Sequence, residues 1–297
     1  MLLVLAALLS AQAPLVEVNF VDGSPRTGKI FVVDVVAPAG LPALVHVVAS
    51  LNNKAGVAFP IGDDGHRLRL LLPVDVEAKI GKAQTLSIDA AFKDGRTTRW
   101  KKPVTITDGR YDKRNITVGK QFTSPSRAQK KRAEKESKEL SAAMATKSPE
   151  RLWRGSFARP TAGEETSPFG TLRTYNKKRR SRHMGLDLDG DVGAAIVAAN
   201  RGRVLVASER FYSGGTVLLD HGQGLMTMYF HMSRIDVKAG QLVEKSEGLG
   251  AVGASGQVTG PHLHLSTKLG GEYVDSAQLL ALDLSADAED LTQRTPK

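Results

Sequence analysis

The chain of 297 residues contains no cysteine. That absence excludes disulfide staples, thiolate metal ligands, iron–sulfur clusters and a thiol nucleophile. Long hydrophobic runs are also missing: past the first ten residues nothing approaches the roughly 20 apolar residues that a membrane-spanning helix needs. Acidic residues are in deficit, 31 against 41 Lys and Arg, for a net charge of +10. Such an excess favours polyanionic partners: nucleic acid, anionic lipid or an acidic cell-wall polymer. The remaining balance, 41% apolar and 24% charged, is that of a globular protein. With cysteine gone, any metal must be held by carboxylates and by the seven histidines.

Met1 to Ser10 form a small-and-apolar run that stops at Ala11-Gln12-Ala13. The run is too short to span a bilayer, and the A-x-A step suits a secretory signal over residues 1–13, cleaved after Ala13. No Lys or Arg precedes the run, so the true start could lie upstream, and a buried first strand is the alternative reading. From residue 14 to 122, short apolar runs (Ile30–Val36, Ala43–Ala49, Leu68–Leu72, Thr85–Phe92, Val104–Thr107) alternate with Asp-Gly and Pro-Ala-Gly turn signals. This spacing predicts an antiparallel β-sandwich. His46 and His66 stand there without a partner at metal-ligand spacing and read as ordinary strand and turn residues.

Residues 123–152 change character. They lack glycine, are rich in helix formers and carry a basic excess, with Ser124 placed to cap and Pro125 at the first helical position. Glu134 and Lys138 stand at i,i+4. Charges alternate in sign and no aromatic residue interleaves, so the segment reads as a solvated helical connector and not as a nucleic-acid site.

Five histidines fall between His183 and His264. His183 and Asp187 have H-x-x-x-D spacing, and His262 and His264 have H-x-H spacing. If both segments are strands, each pair shares a face. Gly185 inside the first motif, and Gly260-Pro261 before the second, argue against helices. Two histidines and one carboxylate would leave a tetrahedral zinc with an open fourth position, the catalytic arrangement.

The order of motifs from Ser167 to Thr267 resembles the lysostaphin/LytM-type zinc metallopeptidases of peptidoglycan. Ser167-Pro168-Phe169-Gly170 is similar to the family's opening loop, and His183-Met184-Gly185-Leu186-Asp187 to its first metal motif. Val197–Val204 resembles the following strand pair, Asp220–Gly224 the hairpin turn and Thr227–Met232 the next strand. Val252–Gly256 and Thr259–His264 are similar to the closing motif. The resemblance implies one zinc bound by His183, Asp187 and His264, with His231 and His262 as the catalytic pair. It implies a small antiparallel β-sheet domain with an open groove over residues 153–280, followed by a tail, 281–297. Gly193–Val206, Val217–Asp220 and Leu225–His231 read independently as strands. His221 reads as structural, Tyr229 as packing, and Asp189 and Asp191 as loop or supporting residues. Six basic residues between Arg173 and Arg182 could steer an anionic substrate or simply be solvated.

Some LytM-type peptidases carry an Ig-like sandwich and a basic connector before the catalytic part. Val74–Glu77 and Asp108–Tyr111 resemble stretches of that module, which could dock the wall, bind a wall-associated regulatory protein or cover the groove. The whole therefore reads as mainly β: an Ig-like sandwich, a helical connector and a LytM-type peptidase domain. The expected protein is a periplasmic or secreted zinc endopeptidase acting on peptide stems and crosslinks of peptidoglycan. D-alanyl–diaminopimelate bonds are slightly favoured over glycine bridges. The alternative is a non-catalytic LytM-like module that binds the wall and activates another hydrolase. By segment the charge excess is +5 over residues 14–122, +3 over 123–150 and +2 over 151–297. The catalytic part is thus nearly neutral, which speaks for wall contact and against nucleic acid.

Overall fold

The computed structural model describes residues 15–62, 64–116, 125–175 and 179–285. The expected signal segment and most of the expected C-terminal tail lie outside these. Along Ala83–Phe92, burial alternates as a strand's two-residue period requires, with Leu86, Ile88, Ala90 and Phe92 inward. Ile30–Val36 instead is buried nearly throughout. That difference organises the molecule.

The first eight strands are β1 (Glu17–Phe20), β2 (Ile30–Val36), β3 (Leu44–Leu51), β4 (Lys54–Ala55), β5 (Val57–Pro60), β6 (Arg67–Pro73), β7 (Ala83–Phe92) and β8 (Thr97–Thr105). They form two four-stranded antiparallel sheets, β1-β2-β6-β5 and β4-β3-β7-β8. Phe31, Val33, Val35, Leu70 and Leu72 face the second sheet and share a core with Leu51, Leu86, Ile88 and Phe92. Ile30, Val32, Val57, Phe59 and Leu71, on the opposite face, belong to the core of the C-terminal half. A sheet covered on both sides needs continuous apolar runs, and IFVVDVV and LRLLLP supply them. The expected strand Val104–Thr107 proves to be only the end of β8. The preceding Thr97–Lys102 is polar because β8 is an edge strand, where lysine and arginine discourage further pairing.

β9 (Lys113–Ile116) leaves the sandwich, and helix α1 (Arg127–Met144) follows. The helix cap is Ser126, not the expected Ser124. Ser126 Oγ accepts the Gln129 N–H (3.2 Å) and Gln129 Oε1 accepts the Ser126 N–H (2.8 Å), a reciprocal box that fixes the start two residues later. The i,i+4 ion pairs along the helix are Arg132–Glu136 and Lys135–Glu139 rather than the expected Glu134–Lys138. Nor is the helix merely solvated. Leu140, Ala143 and Met144 pack against Leu218, Met226 and Met228, and Glu136 accepts the Phe211 N–H at 2.7 Å.

The C-terminal half contains β10 (Glu165–Ser167), β11 (Leu172–Tyr175), β12 (Arg179–Arg182), β13 (Leu186–Asp189), β14 (Ala195–Val197), β15 (Gly202–Arg210), β16 (Gly214–Asp220) and β17 (Leu225–Met232). It continues with β18 (Arg234–Ile235), β19 (Leu242–Val243), β20 (Gly248–Ala251), β21 (His262–Leu269), β22 (Glu272–Val274) and helix α2 (Ser276–Ala281). Its main antiparallel sheet runs β10-β13-β21-β17-β16-β15-β19, with β22 folded back on β21. A small sheet β14-β20-β18 closes one side. A second, β12-β11-β9, recruits the strand that follows the sandwich, and β9 pairs parallel to β11. No helix among the described residues is long and apolar enough to cross a membrane.

The two halves are joined by apolar and polar contacts. Trp153, fully buried, meets Phe59 edge-on at 5.0 Å and Phe157 at 5.6 Å, with the Arg151 guanidinium 4.8 Å above its ring. Gln278 on α2 accepts the Ile30 N–H (2.7 Å) and donates to the Ile30 carbonyl (2.9 Å), and Lys29 pairs with Asp275. Gly28 sits where a Cβ would lie 2.3 Å from the Tyr111 hydroxyl, at φ +69°, so glycine alone fits there. Because Trp153 fills both cores' common boundary, Trp153→Ala is expected to cost about 3–5 kcal/mol. Urea unfolding followed by circular dichroism measures this; a loss below about 1 kcal/mol would contradict the shared core.

Candidate metal centre

β21 lies between β13 and β17, and the register aligns His264 with Asp187 and with Phe230, and His262 with Asp189. The H-x-H pair therefore shares one face, as strand parity predicts. His183 reaches the same place differently. It lies before β13, outside the strand, held by backbone bonds His183 N–H to Thr171 O (2.9 Å) and Gly170 N–H to His183 O (2.7 Å). The same-strand explanation for H-x-x-x-D is thus corrected. Gly185 makes the approach feasible, since a Cβ there would meet the His264 ring at 2.4 Å.

The donor atoms converge. His183 Nε2 is 2.9 Å from Asp187 Oδ1 and 3.0 Å from His264 Nδ1, which is itself 2.8 Å from Asp187 Oδ1. The outer nitrogens fix the protons. His183 Nδ1–H donates to the Pro168 carbonyl at 2.9 Å. His264 Nε2–H donates to Ser266 Oγ at 2.9 Å, and the Ser266 hydroxyl is spent on the Met184 carbonyl at 2.7 Å. Burial pushes the His183 ring down to about 4, so at neutral pH it carries that one proton only. His183 Nε2, Asp187 Oδ1 and His264 Nδ1 thus face one another at hydrogen-bond distance. A carboxylate and two imidazoles so arranged repel unless a cation lies between, and N/O donors of this kind suit zinc. Among the described residues these three form the group able to hold a metal.

Around the triad stand groups that the motif spacing did not reveal. Arg173 Nη2 donates to Asp187 Oδ2 (2.5 Å) and to Ser167 Oγ (2.9 Å), orienting the carboxylate. Arg182 pairs with Glu77 and stacks 5.8 Å over Tyr111. Two members of the basic run are therefore structural ties and not free steering charges; Lys177 and Lys178 lie outside the described residues.

His231 has φ +64°, rare for a residue with a side chain, at a bulge where β17 slips against β16. Its N–H donates to Ser213 O (2.9 Å) and its Nδ1–H to Ser255 O (2.9 Å). His262 Nδ1–H donates to Gly260 O (2.9 Å), and its Nε2 is 3.7 Å from Asp187 Oδ1. The His231 and His262 rings are 5.0 Å apart. Burial first, then the neighbouring imidazoles, lowers His231 to about 3. The His231 ring thus presents an unprotonated Nε2 at neutral pH, and His262 turns its Nε2 the same way, its Nδ1 being held by Gly260 O. A groove of about 530 Å³ opens here, lined by Arg114, Thr166, Asp187, His231, His262 and His264 among others.

The remaining expectations also find places. His221 is fully buried, bonded through Nδ1 to Arg201 O and through Nε2 to Thr227 Oγ1, both at 2.8 Å. The Tyr229 hydroxyl accepts the Ala199 N–H at 2.9 Å inside the core. Asp189 and Asp191 are exposed, and Asp189 receives the Glu164 N–H. His46 is exposed and His66 half-buried in a turn, both remote from the triad's donor group.

Residues 181–276 match the model of Peptidase family M23, and the chain carries an M23 (LytM-type) domain. Among curated relatives, peptidoglycan DD-endopeptidase ShyA of Vibrio cholerae is 36% identical over 99 residues, 33% of this chain and 23% of its own. ShyB of the same organism is 34% identical over 112 residues, 37% of this chain and 26% of its own. The chain thus spans about a quarter of the length of these relatives. A solved peptidase M23 structure from Pseudomonas aeruginosa, 27% identical, superposes with a TM-score of 0.63 over 86% of this chain and 95% of that one. That likeness takes in the N-terminal sandwich as well as the M23 domain.

Two outcomes follow from the geometry. Ser266→Ala, which frees the proton position that orients His264, is expected to weaken divalent-metal affinity about 10- to 100-fold in chelator competition; unchanged affinity would dissociate Ser266 from the site. For the metal-free protein, burial lowers the His221 ring from 6.5 to about 4. The unfolded chain binds the extra proton first, so stability is full above about pH 6.5 and declines as pH falls toward 4. The His221 contribution is on the order of 3 kcal/mol. Urea titrations at pH 7 and 4.5 should show a smaller difference for His221→Gln than for the parent.

Proposed function

We propose that the protein is a zinc metalloendopeptidase that hydrolyses peptide crosslinks of bacterial peptidoglycan in the periplasm or outside the cell. The observation that carries the reading is the convergence of His183 Nε2, Asp187 Oδ1 and His264 Nδ1 beside an open groove that Asp187 and His264 line. The residues fit the metal, and these three would hold one zinc. Bound zinc supplies Lewis acidity and a source of hydroxide at neutral pH.

The chain's own groups do the rest. His231 and His262 each hold Nδ1–H on a backbone carbonyl, so each offers a basic Nε2 to the groove. One takes the proton of the attacking water. Once protonated it becomes a donor, able to steady the developing oxyanion or protonate the departing amine. Arg173 holds the Asp187 carboxylate in place. The strained His231 backbone aims its ring at His262 instead of along the ordinary strand direction.

The DD-endopeptidase relatives support the D-alanyl–diaminopimelate bond over the glycine bridge. In this reading residues 14–122 are an Ig-like module, 123–152 the connector and 153–280 the peptidase domain, with the apolar N-terminal run serving export. The module then meets the anionic wall, or a wall-associated regulator, with its basic excess.

His264→Ala should abolish stoichiometric zinc and all crosslink release from purified sacculi. His262→Ala should keep zinc while losing about 10²- to 10⁴-fold in rate. Sacculi left intact by the zinc-loaded parent protein would reject the enzyme reading and favour a wall-binding activator.

A further inference from the structure

The groove has a wall that does not come from the M23 match. β9, which follows the sandwich, pairs parallel with β11 in the register Leu172↔Lys113, Arg173↔Arg114, Thr174↔Asn115 and Tyr175↔Ile116. Residues in register on adjacent strands project from the same sheet face. Arg114 therefore stands beside Arg173, on the side that looks toward Asp187, and both line the groove.

The two guanidiniums differ in what is left of them. Arg173 is committed to Asp187 and Ser167. Arg114 is exposed, and one N–H, on Nη1, donates to the Thr166 carbonyl at 3.1 Å. That bond anchors the side chain at the rim while leaving four of its five N–H donors. Among the described residues Arg114 has no carboxylate partner. Asp189, the last residue of β13, is exposed, also lines the groove and carries the opposite charge. Arg114 is thus placed to meet an anionic ligand group in the groove.

We infer that Arg114 is a specificity-determining residue that binds a free carboxylate next to the scissile bond. The inference rests on the reading of the site as a peptidoglycan endopeptidase and names its substrate class. In a D-alanyl–diaminopimelate crosslink, the carbon bearing the amide nitrogen also bears a free carboxylate. A glycine bridge has none at that place. A guanidinium presenting a planar fork of donors matches a carboxylate in two parallel hydrogen bonds, a match lost with a carboxamide. The N-terminal half thereby contributes to bond choice through a backbone-registered strand.

The test compares crosslinked muropeptide dimers that carry diaminopimelate as the free acid with dimers amidated at that carboxylate. Binding is titrated on metal-free full-length protein, and cleavage is followed separately on the zinc-loaded form. The parent protein should bind the free acid about five- to tenfold more tightly. Arg114→Ala should bring the ratio to about one, and Arg114→Lys should restore only part of it. Equal binding of both dimers by the parent, or an undiminished preference in Arg114→Ala with unchanged circular dichroism, would overturn the inference. Cleavage reports on the endopeptidase reading itself: selective binding without hydrolysis by the zinc-loaded parent would reject that reading and leave the carboxylate site standing.

Discussion

One sheet with both faces buried determines how this chain is built. Phe31 and Val33 point into the sandwich while Ile30 and Val32 point into the C-terminal core, so neither half can withdraw without exposing apolar surface. Phe59 against Trp153, and Gln278 closing on both backbone groups of Ile30, complete the seam. The halves are consequently held in a defined relation. That fixity lets β9 pair with β11 at the rim of a groove belonging to the other half.

At the centre, the same discipline acts on protons. Three donor atoms are packed at hydrogen-bond distance, and each outer ring nitrogen is tied to an oxygen, the Pro168 carbonyl for His183 and Ser266 Oγ for His264. The arrangement stores repulsion that a cation relieves. His231 stores strain in its backbone for a related purpose, because a regular strand would send its ring elsewhere. Both costs are borne by the surrounding sheet, whose interior residues Leu186, Leu263 and Leu265 are fully packed.

Much of this was legible in the sequence, and the exceptions have physical reasons. The β class, the sandwich and the H-x-H face follow from two-residue periodicity, which is local. His183 and Asp187 were rightly paired in space, yet for the wrong cause: a loop, a missing Cβ at Gly185 and a neighbouring strand bring them together. Arg173 was hidden in a basic run because sequence displays its charge but not Asp187 beside it. Thr97–Lys102 turns a single apolar side chain, Trp100, to the core, too little alternation to signal a strand. The parallel pairing of β9 joins distant segments and leaves no local trace, which is why Arg114 was not among the candidate residues.

That pairing also bears on when the groove exists. β9 and β11 are separated by the connector helix and the first part of the C-terminal half, and their partnership closes a long loop. Such contacts form late, after the local hairpins on either side. The strands β13, β17 and β21 pair with one another within the C-terminal half, whereas the rim carrying Arg114 exists only with the sandwich in place. The mouth of the groove is therefore a joint product of the two halves: the C-terminal half carries the candidate donors, and the docked sandwich supplies the rim.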